Sequence, residues 1–458
     1  MPLDKLALDA RLLLVADALN RGKTKDALQV VNEQTGEGDG GFLAPLLRAW
    51  SIAEGGGDGA GALATSGAKS SLLAPSIDEQ RTYLLFRQGR TAEARALATQ
   101  LLAKAGSSGD RMRLAVAEAL RRTGDREGAA SFIAGLSPAV RANAGKASPG
   151  IAIDTPARGV AAQMFRLAAA LAESDDRALP VTLAQVGRLA APDSSEGMLL
   201  LALLYERQDK DSAALEVARQ VPASDPFAVD AHEIVARDLL ALKRGPEALS
   251  MAQAAVAAKD ATSSDWALLG NVLGELEQPA ASADAYLRGK TLAVAAKDPR
   301  AWTFSLLRAD QLEKVKRWDE ARAELKSGLA IAPDEPLLLN FLGYGQLERG
   351  EDVVGSEAMI RKALAMRPDD PSITDSLGWA LFKRGRTAEA IDALRKAAAA
   401  DPAQWEIHEH LGDALFTTGR RMEARFAWRA ALVTAEKDDK ARIENKLDLG
   451  LTPATAAP

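Results

Sequence analysis

The chain has 458 residues, 47% of them apolar and only 5% aromatic, a formal net charge of −6 and no cysteine. The missing cysteines exclude disulfides, thiolate catalysis and Cys-ligated zinc, and the negative balance gives no general attraction for nucleic acid. No apolar run approaches the ~18 residues that a membrane-spanning helix needs, so no membrane span is expected.

In chain order, Met1 to Leu14 carries Asp4, Lys5, Asp9 and Arg11 where an export signal would need an unbroken apolar core. It reads as an amphipathic helix, so the protein is expected to be cytoplasmic, or periplasmic if the chain begins downstream of a removed segment. Leu6 to Leu19 and Ala27 to Val31 form a first helical pair around the turn Asn20-Arg21-Gly22. Phe42 to Ile52 starts a second, whose partner is interrupted by the glycine-rich stretch Glu54 to Gly61, a costly composition for a helix interior that predicts a loop and a frayed pair. From Asp78 the pattern is firmer: Tyr83, Leu85, Gly89, Ala94 and Leu101 mark one hairpin, and Leu114, Leu120, Gly124, Ala129 and Ile133 the next. Residues 1–137 are thus a block of divergent helical hairpins.

Residues 138–159, with Pro138, Gly145, Pro149, Gly150 and Pro156, predict an extended linker between two stacks, where a cavity could form. Beyond it, Val160–Ala172 with Val181–Leu189, Met198–Tyr205 with Ala214–Val221, and Val229–Leu242 with Ala248–Ala257 make a degenerate block over 160–262. Residues 263–435 hold regular units. The clearest runs from Pro371 to Gln404, with Leu377-Gly378, Leu381, Ala390, Leu394, Ala397 and Pro402 in the order of a tetratricopeptide repeat, lacking only the early aromatic, which is Thr374. The same phase recurs at Leu411, Gly412, Leu415, Ala424, Trp428 and Ala431, and at Leu342, Gly343, Ser356, Ile360, Ala363 and Pro368. It continues through Trp302, Leu312, Ala321, Leu325 and Pro333, and through Trp266, Leu269, Gly270, Leu273, Ser282 and Tyr286. Glycine and alanine recur where paired helices must cross closely, and leucines fill the space between. Over 436–458 a charged helix, Asp438 to Leu447, should cap the array, followed by a disordered Ala/Pro/Thr tail. The expected fold is all-α: a right-handed superhelical solenoid of antiparallel helix pairs.

No constellation predicts catalysis. Gly22-Lys23-Thr24 and Gly289-Lys290-Thr291 imitate the end of a phosphate loop, but Asp17 and Asp284 stand where its first glycine belongs and no strand precedes either. His408 and His410 point to opposite sides of one helix, and Glu406 with His410 makes only a two-residue surface pair, so no metal and no cofactor are expected. Pairs such as Asp369-Asp370 belong at helix N-termini. Arg421, Arg425 and Arg429 form a basic stripe best read as a solvated face. What remains is the inner wall of first helices. Repeat position places Asp310, Asn340, Tyr344, Asp375, Trp379, Lys383, Glu409 and Asp413 on it as candidate contacts for a protein or peptide, with Trp379 either anchoring the partner or packing against the neighbouring unit. The cationic and asparagine groups with which chaperone-binding arrays clamp a terminal carboxylate are replaced by Tyr344, Ser376, Glu406 and His410.

Three segments, 339–344, 375–380 and 409–414, together with Gly419 to Arg429, resemble a group of bacterial tetratricopeptide proteins widespread in alphaproteobacteria, with relatives among outer-membrane lipoproteins that act as adaptors for a processing protease. The resemblance is close over 302–432 and loose over 155–299. It implies a periplasmic, non-enzymatic adaptor in cell-envelope assembly or proteolysis. A helical protein with a small-ligand pocket at the 138–159 joint, or a cytoplasmic assembly factor, are the alternatives.

Overall fold

A computed structural model describes residues 6–31, 40–66, 71–103, 109–145 and 149–452. Among them every regular element is a helix, and the helices are antiparallel pairs arranged as a repeat array. The chain divides into two compact units, Met1–Leu276 and Glu277–Pro458, so the boundary falls inside the repeat that the sequence begins at Ser263. The expected tail beyond residue 452 lies outside the described residues.

In the first unit, Leu8–Asn20 pairs with Thr24–Val30, Leu43–Glu54 with Gly59–Ser66, Ile77–Arg87 with Thr91–Leu102 and Asp110–Arg122 with Arg126–Ala134. Pro156–Ala170 with Ala178–Ala190, and Ser195–Glu206 with Asp211–Ala218, follow. Turns between partners are tightened by a residue in the left-handed region: glycine at Gly89 (φ 72°) and Gly124 (φ 86°), but Asp209 (φ 56°) and Lys243 (φ 58°) elsewhere.

Two sequence expectations are corrected here. Glu54–Gly61 is not simply a loop: a helix starts at Gly59, with Gly59, Ala60 and Leu63 buried. A Cβ on Gly59 would overlap the Ala49 carbonyl oxygen, so that glycine is there for close approach. Nor is 138–159 extended. Pro138–Asn143 is a short helix, Pro149–Ile151 a 3-10 turn, and Pro156 opens the next long helix behind a Thr155 cap. Val140, Ala144 and Ala152 are buried, which gives a stretch rich in proline and glycine enough apolar contact to fold back.

It folds back onto the start of the unit. A Cβ at Gly159 would run into the Trp50 indole, so Pro156–Ala170 lies directly on Leu43–Glu54. Gln80 Nε2 donates to the Gly159 carbonyl at 3.0 Å, and Gln163, fully buried, accepts from Ser76 Oγ at 2.5 Å and donates to the Leu72 carbonyl at 3.2 Å. These bonds satisfy polar groups that burial would otherwise strand.

In the second unit Trp302–Lys314 pairs with Trp318–Ile331, Pro336–Glu348 with Val353–Met366, Pro371–Lys383 with Thr387–Ala400 and Trp405–Thr417 with Arg421–Thr434. The phasing glycines sit at the crossings, as their spacing requires. An added Cβ would meet Ile360 Cγ1 at 3.0 Å from Gly343, Leu394 Cγ at 2.6 Å from Gly378, and the Trp428 ring from Gly412. Ile360, Leu394 and Trp428 are themselves fully buried, so each crossing is filled from the opposite helix. Lys437–Leu449 closes the unit, burying Ile443 and Lys446.

Candidate functional site

First helices of successive repeats lie side by side in the second unit: Pro336–Glu348 beside Pro371–Lys383, and that beside Trp405–Thr417. Their shared face carries the residues that repeat position selected, but the structure sorts these into two layers.

The inner layer is buried and paired. Trp379 is 1% exposed. Its ring stacks on His410 with centroids 4.2 Å apart and on Phe382 at 5.0 Å, and its Nε1 donates to Glu348 Oε1 at 2.5 Å. Asp375 is buried with both carboxylate oxygens 3.0 Å from His410 Nδ1. Asp413 accepts from Lys446 Nζ at 2.8 Å and from Trp428 Nε1 at 2.9 Å. Glu409 accepts from Lys446 Nζ at 2.6 Å and from Arg442. Four of the eight expected contact residues are thus spent on neighbouring helices.

Trp379 in particular is not an exposed anchor, because a first helix faces the next first helix as well as the inner wall. His410 is likewise corrected, from a surface partner of Glu406 to a buried partner of Asp375. Burial, the largest influence on the imidazole, opposes its charged form. The charge and hydrogen bond of Asp375, with the charges of Asp413 and Glu348, outweigh it and raise the His410 pKa above its ordinary value.

The outer layer stays accessible. Tyr344 is half-buried, its ring centroid 6.4 Å from that of His410. Its hydroxyl is held well above the usual phenol range, first by burial and then by the charges of Glu348, Asp375, Glu406 and Glu409. Asn340 Oδ1, one turn earlier, and Glu348 Oε2 are buried beneath this layer with no partner among the described residues. Lys383 is exposed, its ammonium 4.8 Å above the Trp379 ring and 3.9 Å from Glu348. Glu406 is pushed up, by burial foremost and then by Asp375 and Glu436, against the charge of His410. Asp310, on Trp302–Lys314, makes a half-exposed pair with Lys314 at 3.0 Å. Tyr344 therefore comes together with Glu406, and Lys383 with Glu348 and the Trp379 ring, while Asp310 stands apart on an earlier helix.

Repeat position missed Lys446, Arg442 and His410 as structural partners. A signal was present: Lys446 follows Asp413, and His410 follows Asp375, by close to one ~34-residue period, the distance from one first helix to the next. The phosphate-loop look-alike Gly289-Lys290-Thr291 lies within the helix Pro279–Ala295. There the Lys290 ammonium engages Glu324 and, at 2.8 Å, Ser327 Oγ.

The sequence profile of the tetratricopeptide repeat matches residues 83–143, 347–404 and 376–441, and these stretches are tetratricopeptide repeats. No curated protein matches the chain. Among solved structures, a tetratricopeptide repeat protein from Parabacteroides merdae is 13% identical, with 56% of this chain and 99% of that one covered and a TM-score of 0.44. The Cut9–Hcn1 hetero-tetramer of the APC/C is 14% identical over 98% of this chain and 97% of the other (TM-score 0.45). Yeast Tom70 is 14% identical over 90% and 96% (TM-score 0.40).

Proposed function

We propose that the chain is a non-enzymatic scaffold that holds a protein or peptide segment against the wall formed by Pro336–Glu348, Pro371–Lys383 and Trp405–Thr417. The observation that carries the proposal is the half-accessible Tyr344 ring in front of a layer whose charges are already paired. An aromatic ring held rigidly by its own fold loses little freedom when a partner covers it, which is what makes tyrosine a common anchor. Glu406, half-buried and close enough to act on the Tyr344 hydroxyl by its charge, is an acceptor, so a segment presenting a basic side chain over the Tyr344 ring fits the wall best.

Cross-linked capture from the native cell with wild-type, Tyr344→Ala and Lys383→Glu chains tests this. Tyr344→Ala should lower the yield of a defined partner about 10- to 100-fold, a hot-spot loss, with an unchanged helical circular dichroism signal. Equal yields from all three chains would refute it. The resemblance over 302–432 supports an adaptor role in cell-envelope assembly or proteolysis, in the periplasm. Fractionation of the native cell checks this, and recovery of the protein solely with cytoplasmic markers would exclude it.

A further inference from the structure

The first unit holds a partly open cavity of about 730 Å³ between the hairpins of residues 74–115 and the helix Pro156–Ala170. The volume is within the ~300–1,000 Å³ that holds drug-sized ligands. One side is lined by Tyr83, Met112 and Leu114, the other by Phe165 and Phe227, all buried, and Gly150–Ile153 spans the gap. That span is fixed. A Cβ on Gly150 would overlap the Asp193 carbonyl, Arg158 donates to the Ala152 carbonyl at 3.0 Å, and the same guanidinium pairs with Asp193 at 2.6 Å.

The charged groups around the cavity balance. Asp78, Glu79 and Glu196 face it together with Arg111, Arg158 and Arg166. Two of the pairs reach from wall to wall: Arg111 to Glu196 at 2.5 Å, and Arg166 to Glu79. Arg111 also lies 5.5 Å above the Phe227 ring. Its side chain is 38% accessible, yet burial pushes its pKa down to about 10 against the nearby charges of Asp230 and Asp225. A charged ligand would have to compete with these half-exposed pairs for one of their partners, which an uncharged one leaves in place.

We propose that this cavity binds an uncharged, apolar molecule of drug size, seated between the aromatic and aliphatic walls and bordered by ion pairs that remain intact. The site is independent of the Tyr344 wall and would stand if that wall bound nothing.

The test titrates the full chain with the neutral fluorophore N-phenyl-1-naphthylamine and with its sulfonated analogue 8-anilinonaphthalene-1-sulfonate, using dodecanol and dodecanoate as competitors. The neutral probe should bind saturably at one site per chain. The sulfonate should bind about tenfold or more weakly, and dodecanol should displace the probe at lower concentration than dodecanoate. Ala169→Phe and Ala162→Phe, at two accessible lining positions, should each weaken the neutral probe by about tenfold or more while circular dichroism shows the fold retained. Equal binding of the two probes, no binding of the neutral one, or full binding by both filled variants in a folded chain would each overturn the proposal.

Discussion

Replacing Trp379 by alanine separates a packing residue from a contact residue. The indole is 1% exposed, so the substitution removes a large buried side chain, a loss of about 3–5 kcal/mol. It also breaks the stack on His410 at 4.2 Å, worth about 0.5–1.5 kcal/mol beyond area. The Nε1–H that Glu348 accepts at 2.5 Å is lost as well. These contributions overlap, and the expected cost is about 4–5 kcal/mol, at the upper end for a point change. The assay is urea unfolding of the full chain followed by circular dichroism and tryptophan fluorescence, resolving the transition of the second unit. Trp379→Phe keeps most of the ring contact and loses the hydrogen bond to a charged acceptor, so it should cost roughly 1.5–3 kcal/mol. A loss below about 1 kcal/mol for the alanine variant, with partner capture abolished, would show that the ring is free to face a ligand and would refute the layering described above.

Lys446→Met should destabilise the second unit by about 3–5 kcal/mol, because it leaves Glu409 and Asp413 buried beside a missing cation. Adding Asp413→Asn should restore part of the loss, and urea midpoints of the single and double variants report it. His410 titrates above its ordinary value when folded, so its pairing with Asp375 stabilises fully below the unfolded value of about 6.5 and is lost as pH rises through the folded value. The stability difference between wild type and His410→Gln should therefore shrink as pH rises from about 6.5 through the higher folded value, and a flat difference would count against the pair. Asp238, buried in the first unit, is pushed up to about 7 by burial and then by Glu206. Its contribution is complete below the ordinary carboxylate value of 3.8 and declines as pH rises toward 7. Asp238→Asn should thus be the more stable form at pH 8 by roughly 2–4 kcal/mol, with little difference near pH 4. Gly378→Ala places a methyl 2.6 Å from Leu394 Cγ and should cost about 1–3 kcal/mol in the same unfolding assay.

The helix pairs could be read from the sequence because what phases them is local. Gly378, Ala390 and Leu394 recur at fixed spacing since two helices within one repeat cross there, and the structure shows that crossing. The layering of the wall could not be read the same way. A given repeat position states which way a side chain leaves its own helix, not whether the adjacent repeat supplies a partner. Asp375 and Tyr344 both face the wall, yet Asp375 meets His410 and is consumed, whereas the Tyr344 hydroxyl has no described partner. Composition misled for a related reason in the first unit. By composition Gly59 and Gly150 read as chain breakers, but both mark points where backbone meets backbone.

The end of the array shows why the inner layer has to be paired. Trp379 reaches back to Glu348 on the previous first helix, and His410 reaches back to Asp375. Among the described residues the element after the last repeat is Lys437–Leu449, and without it Glu409 and Asp413 would be stranded in a low-dielectric seam. Lys437–Leu449 takes that place and supplies the cation: Lys446 is fully buried although it belongs to one of the most polar helices of the chain. Its ammonium is compensated by two carboxylates, and one of these also receives Arg442. The closing helix is thus matched to the repeat it covers in charge as well as shape.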